Sequence, residues 1–435
     1  MLIAFFMLFF QFSYSQDTVR IMAYNVLYYG DRPACQGPHS SYHDYLKTIV
    51  SYGNPDIIGL EKVAAFPMYT GDNSGSAPLG FADSILRFAL NTAFTGRYAY
   101  CSYTNTSGAD NLSLLYYDKS KFGFAGIVSS YQNVTDFNTY KLYYKTSRLA
   151  LGDTIFLYVI LNHTQSGNSA TTRNAQIAGT LTQLSGIFST LPNVIDMGDF
   201  NFHNSSETGY QALIAPLNAG FAFNDPPFSV DGTYTYPADW DNHPDNYAAC
   251  LTTSTRLSSS VPNNCGTSGG GKSWYDHMLF STPMMNGSLR MQYIPHSYRT
   301  IGNDGNRVSM SINDAPTNSS APASVIEALF QMSNKYPVMA DVRIDTSATA
   351  SVPYRVAGPS LSLSSPVTDQ LTVTFNDSGG KLYLLCTDML GRICLRYTIE
   401  PGQQQITFPF TEAPGTYCLA LYGENCTANK ILFIK

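Results

Sequence analysis

The stretch Val194-Ile-Asp-Met-Gly-Asp-Phe-Asn201 decides how the rest of the chain is read. Its first half is a short apolar run. A strand that ends there projects Asp199 and Asn201 to the same side, two residues apart. A carboxylate and an amide so placed can hold a hard cation and a water beside a phosphate. The bland alternative is an Asp/Asn turn closing a strand. Four other segments weigh against it. Ile21-Met-Ala-Tyr-Asn25 ends in an amide, and Asp56-Ile-Ile-Gly-Leu-Glu-Lys-Val63 carries Glu61 and Lys62 near its end. The apolar run 154–163 ends at His163, and Ser273-Trp-Tyr-Asp-His277 sets Asp276 against an apolar strand. Burying such groups is costly unless they converge on an ion, a ligand or one another.

Around these motifs, strand-like and helix-like segments alternate from residue 17 to about 345. Strands are expected at 18–26, 56–63, 111–117, 140–144, 154–163, 193–197, 274–280 and 337–344. Helices are expected at 45–52, 81–93 and 168–190. In the last of these Ile177, Leu181, Leu184 and Phe188 share one face. The pattern predicts an α/β fold, a two-sheet α/β sandwich over 16–345. Residues 346–360, rich in Ser, Ala and Pro, read as a linker. Short strands separated by turn signals over 361–435 predict a small all-β sandwich.

The 435 residues include 25 Lys+Arg and 31 Asp+Glu, a net charge of −6, and only 13% are charged. An average soluble domain carries about 25%. With 31 tyrosines as well, this excludes a disordered chain, a coiled coil and a globally basic nucleic-acid binder. Residues 1–15 read as a secretory signal: a short apolar run, then Ser13 and Ser15 before a cut at Gln16. That run is too short to span a bilayer, so no stable membrane span is expected. The eight cysteines fit an oxidising compartment. Cys250 and Cys265 flank a Ser/Thr/Asn-rich stretch that a disulfide between them would close. No CxxC pair points to structural zinc.

Asn25, the 56–63 run, His163, Gly198-Asp-Phe-Asn201 and Asp276 together, in that order, resemble the endonuclease/exonuclease/phosphatase superfamily, with its deoxyribonuclease-like fold, over about residues 17–344. Tyr140-Lys-Leu-Tyr-Tyr144 is most similar to a secreted bacterial branch. The resemblance implies a phosphoesterase that uses Mg²⁺ or Mn²⁺ on a phosphate ester, with nucleic acid or a lipid headgroup as the candidate classes. It gives Asp199 the attacking water, Asn201 the phosphate oxygens, and His163 a hydrogen bond or proton for the phosphate. Asn25 would help at the metal, and Asp276 would orient a histidine near the domain's end.

Two motifs depart from that pattern. The family run resembles Asp-Ile-Ile-Gly-Leu-Gln-Glu-Val, whose Glu holds the ion. Aligned without a gap, Glu61 stands at the Gln and Lys62 at the Glu. A one-residue slip would restore Glu61 as the metal ligand, yet alternation is expected to aim it at the other face. The last motif, normally Ser-Asp-His followed by Pro-Val, reads Ser333-Asn-Lys-Tyr-Pro-Val338. Asn334 replaces the Asp and Lys335 the imidazole. Thr135 stands where this branch favours Arg. Lys62, Asn334 and Lys335 make the site more positive by about four charges. The reading is therefore an impaired hydrolase, and the alternative is a catalytically degenerate surface binding protein. Lys62 and Lys335 are expected beside Asp199 and Asp276 in place of the metal charge, unless Lys335 binds phosphate directly. His277 faces away from Asp276, and His203 is expected on a surface loop. Asp388-Met-Leu-Gly-Arg392, Pro414-Gly-Thr-Tyr417 and the basic end 430–435 resemble a type IX secretion sorting domain. That resemblance implies a secreted or cell-surface protein of a Gram-negative bacterium, with the secretion machinery as partner.

Overall fold

Thirteen strands are set in two sheets by their alternating side chains, as seen in a computed structural model. It describes residues 16–29, 39–65, 80–147, 149, 152–258 and 265–347. Beyond these it describes 361–363, 367, 369–375, 381–388, 392–423 and 426–434. The chain divides into two compact units, Met1–Ser347 and Ala348–Lys435.

In the first unit the strands are β1 Gln16–Tyr28, β2 Ile57–Ala64, β3 Tyr98–Tyr100, β4 Asn111–Asp118, β5 Phe122–Asn133, β6 Thr135–Tyr144 and β7 Ile155–His163. They continue with β8 Val194–Asp199, β9 Phe223–Asn224, β10 Asp276–Ser281, β11 Met291–Tyr293, β12 Arg299–Thr300 and β13 Val338–Asp345. One sheet has the order β11-β13-β1-β2-β4-β3, with β12 also on β13. The other runs β5-β6-β7-β8-β10-β9. β1 pairs with β2, and β7 with β8, in parallel.

Every second residue faces the partner sheet. Val19, Ile21 and Ala23 of β1 share a core with Ile57, Leu157, Val159, Leu161, Ile195, Met197, Met278 and Phe280. The intervening residues face outward onto helices. Met22, Tyr24, Ile58 and Leu60 pack with the helices His39–Gly53 and Ala323–Met332. Tyr158, Ile160, Val194 and Leu279 pack with Ile177 and Leu184 of the helix Ala170–Ser185. The expected two-sheet sandwich is the observed architecture, with a helical layer on each outer face.

Several elements exceed the sequence expectation, among them β5 and one long helix. β5 is broken by bulges at Gly126 and before Ser129, which blur its alternation. The helix Ala323–Met332 buries Val325, Ile326, Leu329 and Met332. The region 81–93 is helical but contains a π segment at Leu86–Leu90.

The C-terminal unit is all-β. Leu361–Leu363, Gln370–Phe375 and Gln405–Pro409 form one sheet, while Leu382–Asp388, Ile393–Ile399, Thr416–Gly423 and Cys426–Ile434 form the other. Leu371, Val373, Leu384, Cys386 and Leu419 fill its core. The expected signal sequence, 1–15, and most of the expected linker, 346–360, lie outside the described residues. Among the described residues no helix is long and apolar enough to cross a membrane. The expected Cys250–Cys265 bridge is not formed. Cys250 is a buried thiol against the Tyr234 hydroxyl, and Cys265 is bonded to a different cysteine.

Candidate functional site

The inner-face alternation that builds the apolar core also ends it, at one end of the sandwich, with a polar layer. On β1 the series Val19, Ile21, Ala23 continues to Asn25, and on β2 Ile57 and Gly59 lead to Glu61. Leu157, Val159 and Leu161 lead to His163 on β7, and Ile195 and Met197 to Asp199 on β8. β10 runs the other way, so Asp276 precedes Met278 and Phe280. Register then pairs Asn25 with Glu61, His163 with Asp199, and Asp199 with Asp276.

Into this layer reaches Lys335. Its Nζ lies 3.0 Å from Asp199 Oδ2 and 3.5 Å from Asp276 Oδ2, and 4.7 Å from the centre of the Tyr275 ring. Lys335, Asp199 and Asp276 are all buried. The segment is anchored through Ser333, whose Oγ donates to Asn25 O at 2.7 Å and accepts from Lys335 N at 3.1 Å. Asn25 Nδ2 donates to the same Asp199 oxygen at 2.9 Å, while Asn25 Oδ1 accepts from Leu27 N at 3.0 Å. Burial alone would raise the Asp199 pKa. Lys335, His163 and the Asn25 hydrogen bond outweigh it and hold the carboxyl below its ordinary value. For Asp276 burial wins, helped by the Asp199 charge, and its pKa rises to about 7. Burial also opposes the Lys335 charge, but the two carboxylates overcome it and raise the ammonium above its ordinary pKa.

Glu61 corrects the sequence expectation. It does not face away; it points inward, fully buried. Among the described residues neither carboxyl oxygen has a hydrogen-bond partner. Burial, with Asp276 and Asp199 adding their charges, pushes its pKa well above the ordinary value and so favours the neutral form. Room for it depends on Gly198. A Cβ there would stand 3.1 Å from Glu61 Oε1 and 2.1 Å from Asn162 O, on a backbone with φ +129°.

Lys62 follows at a break in the ladder, with φ +56°. It does not pair with Asp199 or Asp276 as expected. Its Nζ lies 4.9 Å over the Tyr28 ring. With Asn111, Thr135, His163, Gln165 and Gln176 it lines a cavity of about 140 Å³. His163 Nδ1 is 3.0 Å from Asn111 Oδ1. Burial, with Lys62 and Lys335 acting against it as well, lowers the imidazole pKa to about 4. His163 is therefore neutral at pH 7. Asn201 has φ +49° and donates from Nδ2 to Thr164 O at 3.0 Å, bracing the turn after β8.

The remaining sequence candidates lie apart. The Asn334 carboxamide packs on Gly266, and its backbone oxygen accepts from Thr255 N at 3.1 Å. His277 faces the other side of β10. It is buried, with Nδ1 3.1 Å from Asp225 Oδ2 and its ring stacked on Trp274 at 4.6 Å. His203 is not an isolated loop residue: its Nδ1 lies 3.1 Å from Asp241 Oδ2. Asp241 also accepts from the Tyr275 hydroxyl at 2.7 Å. Tyr275 was not expected at the site, because it precedes β10 and escapes the alternation that singled out Asp276.

These residues do not fit a divalent cation. Such an ion needs several oxygen ligands at about 2.0–2.6 Å. Here an ammonium holds the position between Asp199 and Asp276, Asn25 turns its amide nitrogen toward Asp199, and Glu61 favours its neutral form. Among the described residues no group of three or more His, Cys, Asp and Glu side chains is arranged to hold a metal.

No protein-family model and no curated protein matches the sequence. Solved structures do match, and they are members of the endonuclease/exonuclease/phosphatase superfamily. One is an endonuclease/exonuclease/phosphatase from Beutenbergia cavernae, with TM-score 0.42 and 12% identity, covering 96% of this chain and 100% of that one. The human nocturnin catalytic domain with bound sulfate gives 0.43 and 14%, covering 75% and 97%. A family protein from Bacteroides thetaiotaomicron gives 0.41 and 13%, covering 77% and 100%.

Proposed function

We propose that this chain is a secreted phosphoesterase-like protein of the endonuclease/exonuclease/phosphatase type, which recognises phosphate esters and hydrolyses them poorly. The observation that carries recognition is the cavity lined by Lys62, Thr135 and His163, one strand from Asp199. An ammonium with hydroxyl, amide and imidazole groups suits a phosphate oxyanion. Nucleic acid and a lipid headgroup share that chemistry. Poor hydrolysis follows from Asp199, whose Oδ2 is held by both Lys335 and Asn25. A carboxylate so engaged is a weak base for water. Losing one acid–base group costs about 10²–10⁴-fold.

The test is hydrolysis of plasmid DNA and of a chromogenic phosphodiester, with Mg²⁺, Mn²⁺ or chelator. Wild type is compared with Asp199→Ala and with the combined Lys62→Glu, Asn334→Asp, Lys335→His. The expected result is wild-type turnover near that of Asp199→Ala, and metal-dependent turnover at least about 10²-fold higher in the triple variant. Rapid wild-type turnover that Asp199→Ala abolishes overturns the impaired reading. Residues 1–15 would direct export and the unit 361–435 would serve type IX sorting, on the motifs given above. Deleting 361–435 and following the protein to the medium or the periplasm tests that part.

A further inference from the structure

We infer that the Asp199–Asp276 pair is a built-in ammonium site, to which Lys335 supplies a tethered monovalent cation where a phosphoesterase of this type would use a divalent one. Three observations, independent of one another, carry this. The first is occupancy: Lys335 Nζ stands 3.0 Å from Asp199 Oδ2, a close ion pair, and 3.5 Å from Asp276 Oδ2, a looser ionic contact, and so fills the space between the two carboxylates. The second is the aromatic wall. The Tyr275 ring lies 4.7 Å from the nitrogen and is fixed by its own hydroxyl on Asp241. A ring face attracts an ammonium by its quadrupole, whereas a divalent ion keeps its water and gains little there. The third is the direction of Asn25. Its NH₂ points at Asp199 and its oxygen is spent on Leu27 N, so the amide supplies no ligand oxygen.

The loop is built to hold the ammonium there. Ser333 ties it to the end of β1, Asn334 O accepts from Thr255 N at 3.1 Å, and Tyr336 N donates to Thr252 O at 2.9 Å. The same Thr252 receives Asp276 N on its hydroxyl at 3.1 Å. The Asp276-bearing end of β10 and the cation-bearing loop thus share Thr252 as an anchor.

A truncated lysine should therefore leave a hole that recognises alkylammonium ions. Lys335→Ala removes three methylenes and the ammonium, which is the shape of n-propylammonium. The full-length chain is melted with tryptophan fluorescence as the readout, in n-propylammonium, sodium or magnesium chloride at equal ionic strength. The variant is expected to melt roughly 10 °C below wild type. About 50 mM n-propylammonium should restore at least half of that loss, an effect that needs a Kd of a few millimolar. Sodium and magnesium should restore none. Lys335→Met, which fills the hole without a charge, should not respond to the amine. If Lys335→Ala does not fold in buffer, its refolding yield in n-propylammonium against sodium is the readout. Wild type is tested separately by Mn²⁺ electron paramagnetic resonance, and its signal should remain that of the free ion. Rescue by magnesium in place of the amine, equal amine shifts in wild type and variant, or stoichiometric Mn²⁺ binding by wild type would each overturn the inference. None of these readouts involves phosphate or hydrolysis, so their failure is distinct from failure of the proposed function.

Discussion

Replacing Asp276 by Asn should remove a pH dependence that the wild-type chain carries. Asp276 is buried, and its pKa in the folded chain is about 7 against an ordinary 3.8. Between those values the unfolded chain has released the proton and the folded chain has kept it. The unfolded state then binds fewer protons, so stability falls as pH rises from about 4 to 7 and levels off above. A gap of about three pKa units corresponds to about 4 kcal/mol. Asp276→Asn keeps the shape and deletes the titration, and Lys335 retains Asp199 at 3.0 Å. The stability of the variant relative to wild type should therefore grow by about 4 kcal/mol between pH 4 and pH 8. Urea unfolding by tryptophan fluorescence reads this directly. The chain has two tryptophans, Trp240 and Trp274, both fully buried in the first unit. The signal comes from the unit that holds the site, and the C-terminal unit is silent. Parallel stability curves for the two proteins over pH 4–8 would mean instead that Asp276 ionises in the folded chain as it does in water.

Other perturbations probe the cavity, the strand contact and a buried ion pair. Lys62→Ala should weaken binding of inorganic phosphate or a short oligonucleotide by about 10-fold or more, the value of a charged hydrogen bond, as measured by calorimetry; unchanged affinity would remove Lys62 from the site. Gly198→Ala puts a Cβ 2.1 Å from Asn162 O at φ +129°, so the melting temperature should fall by an amount equivalent to about 3 kcal/mol or more. Arg173 and Glu207 form a buried two-bond pair at 2.8 and 2.9 Å. Arg173→Met alone should cost about 3–5 kcal/mol, and adding Glu207→Leu should recover most of it; equal loss in both variants would assign the effect to packing.

The sequence carried the site as far as its strands stay regular. A period of two places Asn25, His163, Asp199 and Asp276 on the inner face, because each follows or precedes an unbroken apolar series. At Glu61 the same rule holds, and it was the motif resemblance that misled. The family alignment made Lys62 the ligand position and so assigned Glu61 the opposite face. The inner-face series on β2 in fact runs Ile57, Gly59, Glu61, in register with Asn25. The chain then breaks register, and Lys62 takes φ +56°. That change of direction cannot be read from residue types, since a lysine gives no sign of a left-handed backbone. Lys335, expected beside Asp199 and Asp276 from the Ser333–Val338 motif rather than from periodicity, is found there, whereas Tyr275 lies outside the regular strands, where a hydrogen bond to Thr252 sets its direction. The Cys250–Cys265 expectation failed for a related reason: the distance across a loop of known length is a matter of tertiary path, and Cys250 is drawn instead into the aromatic cluster with Tyr234 and Tyr247.

The charges explain why the lysine is stable in so enclosed a place. Three carboxyl groups and one ammonium meet with little water. Were all three carboxyls ionised, the cluster would carry two uncompensated negative charges, at a cost of several kcal/mol per ion. The chain opposes this by pulling the three apart: Lys335 holds the Asp199 carboxyl below its ordinary pKa, burial raises Glu61 well above it, and Asp276 rises to about 7. The lysine and the glutamic acid act on Asp276 unequally. Removing the ammonium drives Asp276 to keep its proton at higher pH, whereas removing Glu61 leaves the ion pair intact. Lys335→Met should accordingly raise the Asp276 pKa above 7, and Glu61→Gln should lower it only slightly. Carboxyl titration by ¹³C NMR separates the two, and an Asp276 pKa unmoved by Lys335→Met would show that burial alone sets it.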